Sequence, residues 1–152
     1  MNIKKSIMRK LVTIVFFICF QSLMAQEAEI RQSIQTFFDG FHTRDSLKMK
    51  SVCYSNMILH SISESTITRK ITTEKFSDFA KSIAAISKNT KFEERLLSYS
   101  FNVEGSLAHV WTPYEFYVNG KLAHKGVNSF QLLKDNGLWK IIHIADTRKR
   151  AN

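Results

Sequence analysis

The spacing of apolar residues changes once along this chain, and that change limits its fold more than any other feature. In "EAEIRQSIQTFFDGFHTRD", Ile30, Ile34, Phe37, Phe38 and Phe41 recur at intervals of three and four. One apolar stripe at that spacing predicts an amphipathic helix. Asp45 or Ser46 can cap a second, short helix through "LKMKSVC". "NMILHSISE" and "TITRKI" read as a short hairpin rich in β-branched residues. A third helix is expected in "TEKFSDFAKSIAAISK", with Phe76, Phe79, Ile83 and Ile86 as its stripe and Thr72 or Thr73 as its cap.

After Lys91 the period becomes two. Leu97, Tyr99, Phe101 and Val103 alternate with Ser98, Ser100 and Asn102. Turn residues follow at Glu104-Gly105, Asn119-Gly120 and Asp135-Asn136-Gly137. They divide the rest into four long antiparallel strands, "ERLLSYSFNV", "SLAHVWTPYEFYV", "KLAHKGVNSFQLL" and "LWKIIHIADTR". A sheet with one apolar face must cover it, and the three helices are the only cover available. The expected class is therefore α+β, with helices packed into a bent antiparallel sheet. Pro113 cannot donate to a ladder, so it marks an edge or a bulge. A bulge bends a sheet, and a bent sheet over helices leaves a cone with one open end.

Residues 1–25 stand apart. "MNIKKSIMRK" is basic, "LVTIVFFICF" is apolar, and "QSLMA" ends in a small residue. That order describes a secretory signal peptide, with cleavage expected after Ala25. The competing reading is a retained anchor, although a spanning helix needs about 20 apolar residues. The expected mature domain is 26–152, exported to the periplasm or secreted, and free of the membrane after cleavage. Cys19 leaves with the signal, so Cys53 has no internal disulfide partner and reads as a small buried residue. Lys4, Lys5, Arg9 and Lys10 leave as well, which lowers the net charge of +9 by four, to +5. The remaining basic residues are scattered apart from "RKR" at Arg148–Arg150, which reads as a solvated end. Without a basic stripe, no nucleic-acid partner is expected.

The order helix, helix, hairpin, helix and four-stranded meander resembles the nuclear transport factor 2-like superfamily. The wording "WTPYEFYVNGK", "GVNSFQLLK" and "GLWKI" is similar to its lumazine-binding-like and SnoaL-like branches. The likeness spans the mature chain in order and spacing, and in wording runs from Trp111 to Thr147. It implies a conical pocket between a concave sheet and the helices. It also implies one of several roles: ketosteroid isomerase, polyketide cyclase, dehydratase, small-molecule binder or dimerisation module. The isomerases use a carboxylate base with acidic oxyanion donors, and the dehydratases use histidine–carboxylate pairs. Neither set maps residue by residue onto this chain.

Six residues are candidates for contact with a ligand. His60 alternates with Ile58 and Ile62, which puts it on an apolar face as a core histidine or a pocket residue. His124 and Asn128 share a strand face with Phe130 and are drawn inward by it. A buried amide must bond a network, a ligand or water, because leaving it unpaired costs about 1–3 kcal/mol. Trp111 and Tyr114 straddle Pro113, where aromatics floor a pocket, fill a dimer interface or simply pack. Asp146 lies beside Arg148, which favours a surface ion pair; as a base at a pocket mouth it would need a raised pKa. No HxH or HExxH motif is present, so neither metal nor cofactor is expected. Many aromatics and few polar groups suit binding of a small, partly apolar molecule without catalysis. The alternatives are a lyase or isomerase working through histidine and aspartate, and a homodimerisation module acting through the outer sheet face.

Overall fold

A computed structural model describes residues 24–64 and 68–150. The expected leader, apart from its last two residues, lies outside them. Helix α1 covers 24–43 and buries the whole expected stripe: Ile30, Ile34, Phe37, Phe38 and Phe41. It stops at Arg44, which adopts a φ of 60°, while the Asp45 amide returns to the Gly40 carbonyl at 2.8 Å. Gly40 is needed for that sharp junction, because a Cβ there would sit 2.8 Å from both Cγ and N of Met49. Asp45 then caps α2 (Ser46–Ser51), its carboxylate accepting from the Lys48 amide at 2.9 Å.

The hairpin is longer than expected. Strands β1 (Cys53–Glu64) and β2 (Arg69–Lys75) pair up to Ile58 and Lys75. Thr72 and Thr73, expected as caps, are ladder residues opposite Ser61 and His60. Helix α3 (Phe76–Ala85) therefore begins later, behind Lys75, with no side-chain cap.

Strands β3 (Phe92–Leu96), β4 (Ser100–Glu104), β5 (Leu107–Val118), β6 (Lys121–Asp135) and β7 (Leu138–Arg150) complete the sheet. Among the described residues its order is β2-β1-β7-β6-β5-β3, with β4 also on β5. All pairings are antiparallel except β1 with β7. Asn119-Gly120 and Asn136-Gly137 take the positive φ values that a two-residue hairpin turn requires.

One expected strand is two. Leu96 pairs with Tyr114 and Ser100 with Trp111, so three residues on one side oppose two on the other. This is a bulge, and it lies opposite Pro113, whose carbonyl accepts from the Leu97 amide at 2.8 Å. The extra residue reverses parity. Phe92, Glu94 and Leu96 alternate inward before it, and Tyr99, Phe101 and Val103 after it. Leu97, expected on the inner face, is 58% exposed. Strand β5 itself runs regularly through Pro113, with Ala108, Val110, Thr112 and Tyr114 all buried.

Candidate functional site

The inner face of the sheet changes from packed to open along its strands. Ala108, Leu132 and Ile141 form one cross-strand row and are fully buried. Val110, Phe130 and Ile144 follow, roofed by α1 through an edge-to-face contact of Phe38 with Phe130 at 6.1 Å. The third row, Thr112, Asn128 and Asp146, is still buried but polar. Tyr114 comes next, beside Gly126. Beyond it Phe116 and His124 are only part-buried, and Arg148 is exposed. The cone is thus filled with hydrocarbon at one end and lined with polar groups toward the other.

Gly126 shapes that polar end. It pairs with Tyr114 across β5 and β6. On its other side β7 is irregular, because the Val127 amide donates to the Thr147 hydroxyl at 3.1 Å. The Thr147 carbonyl instead fills the place of the missing side chain, where a Cβ would lie 1.7 Å from its oxygen. The Tyr114 hydroxyl crosses the bare glycine and donates to that carbonyl at 2.9 Å. It also lies 3.3 Å from Asp146 Oδ2. Burial raises the Tyr114 pKa, and the charges of Asp146 and Glu94 raise it further. Tyr114 is therefore a fixed neutral donor.

Asp146 does pair with Arg148, Nε to Oδ2 at 2.7 Å, but the carboxylate is buried rather than on the surface. Ser61 donates to its Oδ1 at 2.6 Å, and Arg148 reaches Ser61 Oγ at 2.8 Å. The "RKR" segment, expected as a solvated end, is the last part of β7. Lys149 within it pairs with Glu64 at 3.0 Å.

Glu94 is the least satisfied carboxylate here. Its backbone amide donates to His42 Nε2 at 2.9 Å, which requires that imidazole nitrogen to be unprotonated. Burial lowers the His42 pKa and keeps it so. The Glu94 side chain accepts one bond, from Asn128 Nδ2 at 2.6 Å. Its carboxyl is pushed up to about 7, by burial first and the Asp146 charge next, against the Asn128 bond and Arg148. The Glu94 side chain is part-buried beside this cluster. His124 stacks on Phe116 at 4.7 Å and meets Tyr114 edge-on at 5.8 Å. Burial lowers its pKa, with help from Arg148.

Four of the six sequence candidates, Tyr114, His124, Asn128 and Asp146, thus converge. Two do not. His60 lies on the outer face, with Nδ1 2.7 Å from His143 Nε2. The inward positions of β1 belong to Met57 and Leu59, whereas Ile58 is 41% exposed. "MILHSI" carries apolar residues at both parities, so alternation could not orient it. Trp111 is also outside and 47% exposed, as its odd register with Thr112 and Tyr114 requires. Glu94 and Ser61 escaped the sequence reading, and Arg148 entered it only as a surface partner of Asp146. The signal for Glu94 was present in Phe92, Glu94 and Leu96, a period-two pattern masked by the bulge that follows. Two surface grooves, of about 790 and 510 Å³, lie away from this cluster.

Neither a family model nor a curated protein matches the sequence. Solved structures do match by shape. An NTF2-like protein of unknown function from Shewanella baltica superposes with a TM-score of 0.62 at 14% identity, covering 84% of this chain and 97% of its own. The β subunit of a proposed aromatic-ring-hydroxylating dioxygenase from Novosphingobium aromaticivorans gives 0.70 at 8% identity, covering 86% and 94%. A proposed dehydratase of the NTF2-like family from Streptomyces avermitilis gives 0.62 at 14%, covering 82% and 96%. Helices followed by a curved seven-stranded sheet, and these superpositions, lead to one conclusion: the chain has the nuclear transport factor 2-like fold.

Proposed function

We propose that the polar end of the cone binds a small, partly apolar molecule, with Glu94 and Asn128 as polar contacts and Tyr114, Phe116 and His124 as the aromatic wall. The observation that carries this reading is Glu94, part-buried at the polar end of the cone, with a single side-chain hydrogen bond, from Asn128, and a carboxyl pushed up to about 7 by burial. A carboxyl group near 7 offers a ligand either a donor or an acceptor. Aromatic walls with a few convergent polar groups are what small-molecule sites consist of.

The same carboxyl favours a second reading, proton transfer by a lyase or isomerase. A general base works best when its pKa lies near the operating pH. The likeness to a proposed dehydratase supports this only at the level of fold, which does not fix function. Export of the domain rests on the character of residues 1–25. Homodimerisation rests on the outer sheet face, where Ile58, Ile71 and Trp111 are each exposed.

Native mass spectrometry of the exported protein reads all of these at once. The expected result is a dimer of chains beginning at Gln26, carrying a co-purified small molecule. Glu94→Gln and Asn128→Leu should keep the fold and weaken that ligand at least tenfold. Full wild-type occupancy in both variants would place the site elsewhere. Conversion of the recovered molecule, rising with pH through about 7 and lost in Glu94→Gln, would select the second reading.

A further inference from the structure

The groove of about 790 Å³ lies between α2, α3 and the first half of β1, on the far side of Met57 and Phe76 from the polar cluster. A local defect in the sheet opens it. Cys53 pairs with Ile141 and Ile58 with His143, so four residues of β1 oppose one of β7. Residues 54–56 have no ladder partner on either neighbour and are exposed. The two helices bridge the gap without filling it.

The floor of the groove is apolar, made by Met57, Phe76 and Ala80, all buried. Its wall includes Leu47, a large side chain left 76% exposed on α2. Lys50, Lys75 and Lys81 stand around it. Lys81 lies 3.9 Å from Asp78, a loose pair between two exposed groups. Among the described residues Lys50 and Lys75 have no carboxylate partner. Three cations against one carboxylate, around a hydrocarbon floor, complement one ligand chemistry.

We infer that this groove binds a free single-chain amphiphile with an anionic head, such as an alkyl carboxylate. Its tail lies against Leu47 and Ala84 over the floor of Met57, Phe76 and Ala80, and its head lies among Lys50, Lys75 and Lys81. The volume falls within the roughly 300–1,000 Å³ usual for small ligands. A concave groove walled by two helices and a strand admits one chain, whereas a bilayer surface requires a protruding apolar edge. Desolvated tail contacts supply affinity, and the cations select the head group.

The probe is dodecanoate, titrated calorimetrically and by amide NMR against dodecanol, dodecylamine and phosphatidylglycerol vesicles. Dodecanoate should bind at least tenfold more tightly than dodecanol or dodecylamine. It should shift the amides of residues 46–58 and 75–84 and leave those of Glu94 and Asn128 in place. The double variant Lys50→Glu/Lys75→Glu changes only surface charge, so it should fold and lose at least tenfold in affinity. Ala80→Trp should block the floor. Equal binding of dodecanol, unchanged affinity after charge reversal, shifts confined to the cone, or binding to vesicles alone would each overturn the assignment.

Discussion

Gly126→Ala is expected to lower stability by about 3 kcal/mol or more in urea titration, the upper range for an overpacked interior. The usual grounds for a glycine do not apply, since its backbone is that of an ordinary strand. The reason is a neighbour. The added methyl would lie 1.7 Å from the Thr147 oxygen and 2.7 Å from its carbonyl carbon. Backbone cannot swing aside as a side-chain tip can, so β6 and β7 must part. Parting them moves the carbonyl away from Tyr114 and breaks the 2.9 Å bond that aims the hydroxyl. Tyr114→Phe serves as the control. It removes the bond and leaves the strands together, so it should cost about 1 kcal/mol. A Gly126→Ala protein within 1 kcal/mol of wild type would mean that the Thr147 carbonyl does not occupy that space.

Glu94→Gln should have the opposite sign and depend on pH. The folded protein holds this carboxyl at about 7, above its ordinary 4.5. Folding therefore favours the protonated form. The contribution is fully present below about 4.5 and is lost as pH rises through about 7. Above that, ionised Glu94 costs about 3 kcal/mol relative to a neutral group. Gln is neutral throughout and can still accept from Asn128. The variant should match wild type near pH 4.5 and exceed it by about 3 kcal/mol at pH 8. Three part-buried histidines oppose this trend. His42, His124 and His143 have lowered pKa values, and their contribution is lost as pH falls below the ordinary 6.5. Both proteins contain all three, so the difference between their unfolding curves isolates Glu94. A constant difference across pH 4.5–8 would show that the carboxyl is not raised.

The helices and turns were legible because their signals are local. The α1 stripe, the Asp45 cap and the two Asn-Gly turns each declare themselves within a few residues. Asn128 was legible through Phe130 and Leu132, which fixed its face. Parity failed where the chain offered no such reference. His60 sits among apolar residues of both faces, and Leu97 lies in a bulge that only its partner strand reveals. Ser61 and Asp146 are 85 residues apart and meet through the parallel pairing of β1 with β7. No short-range pattern encodes that pairing, so the buried carboxylate of Asp146 looked like one on the surface.

The place of β7 also affects how the molecule can be assembled. It is the latest strand in chain order, yet it lies between β1 and β6. Until it inserts, the sheet exists as two separate pieces, each with a bare row of amides and carbonyls facing the gap. Such rows recruit strands from other molecules. Loss of residues 138–150 would therefore do more than trim an end. It would leave two adhesive edges and no polar site, so clipping there should drive the protein toward aggregation rather than toward a smaller soluble fragment.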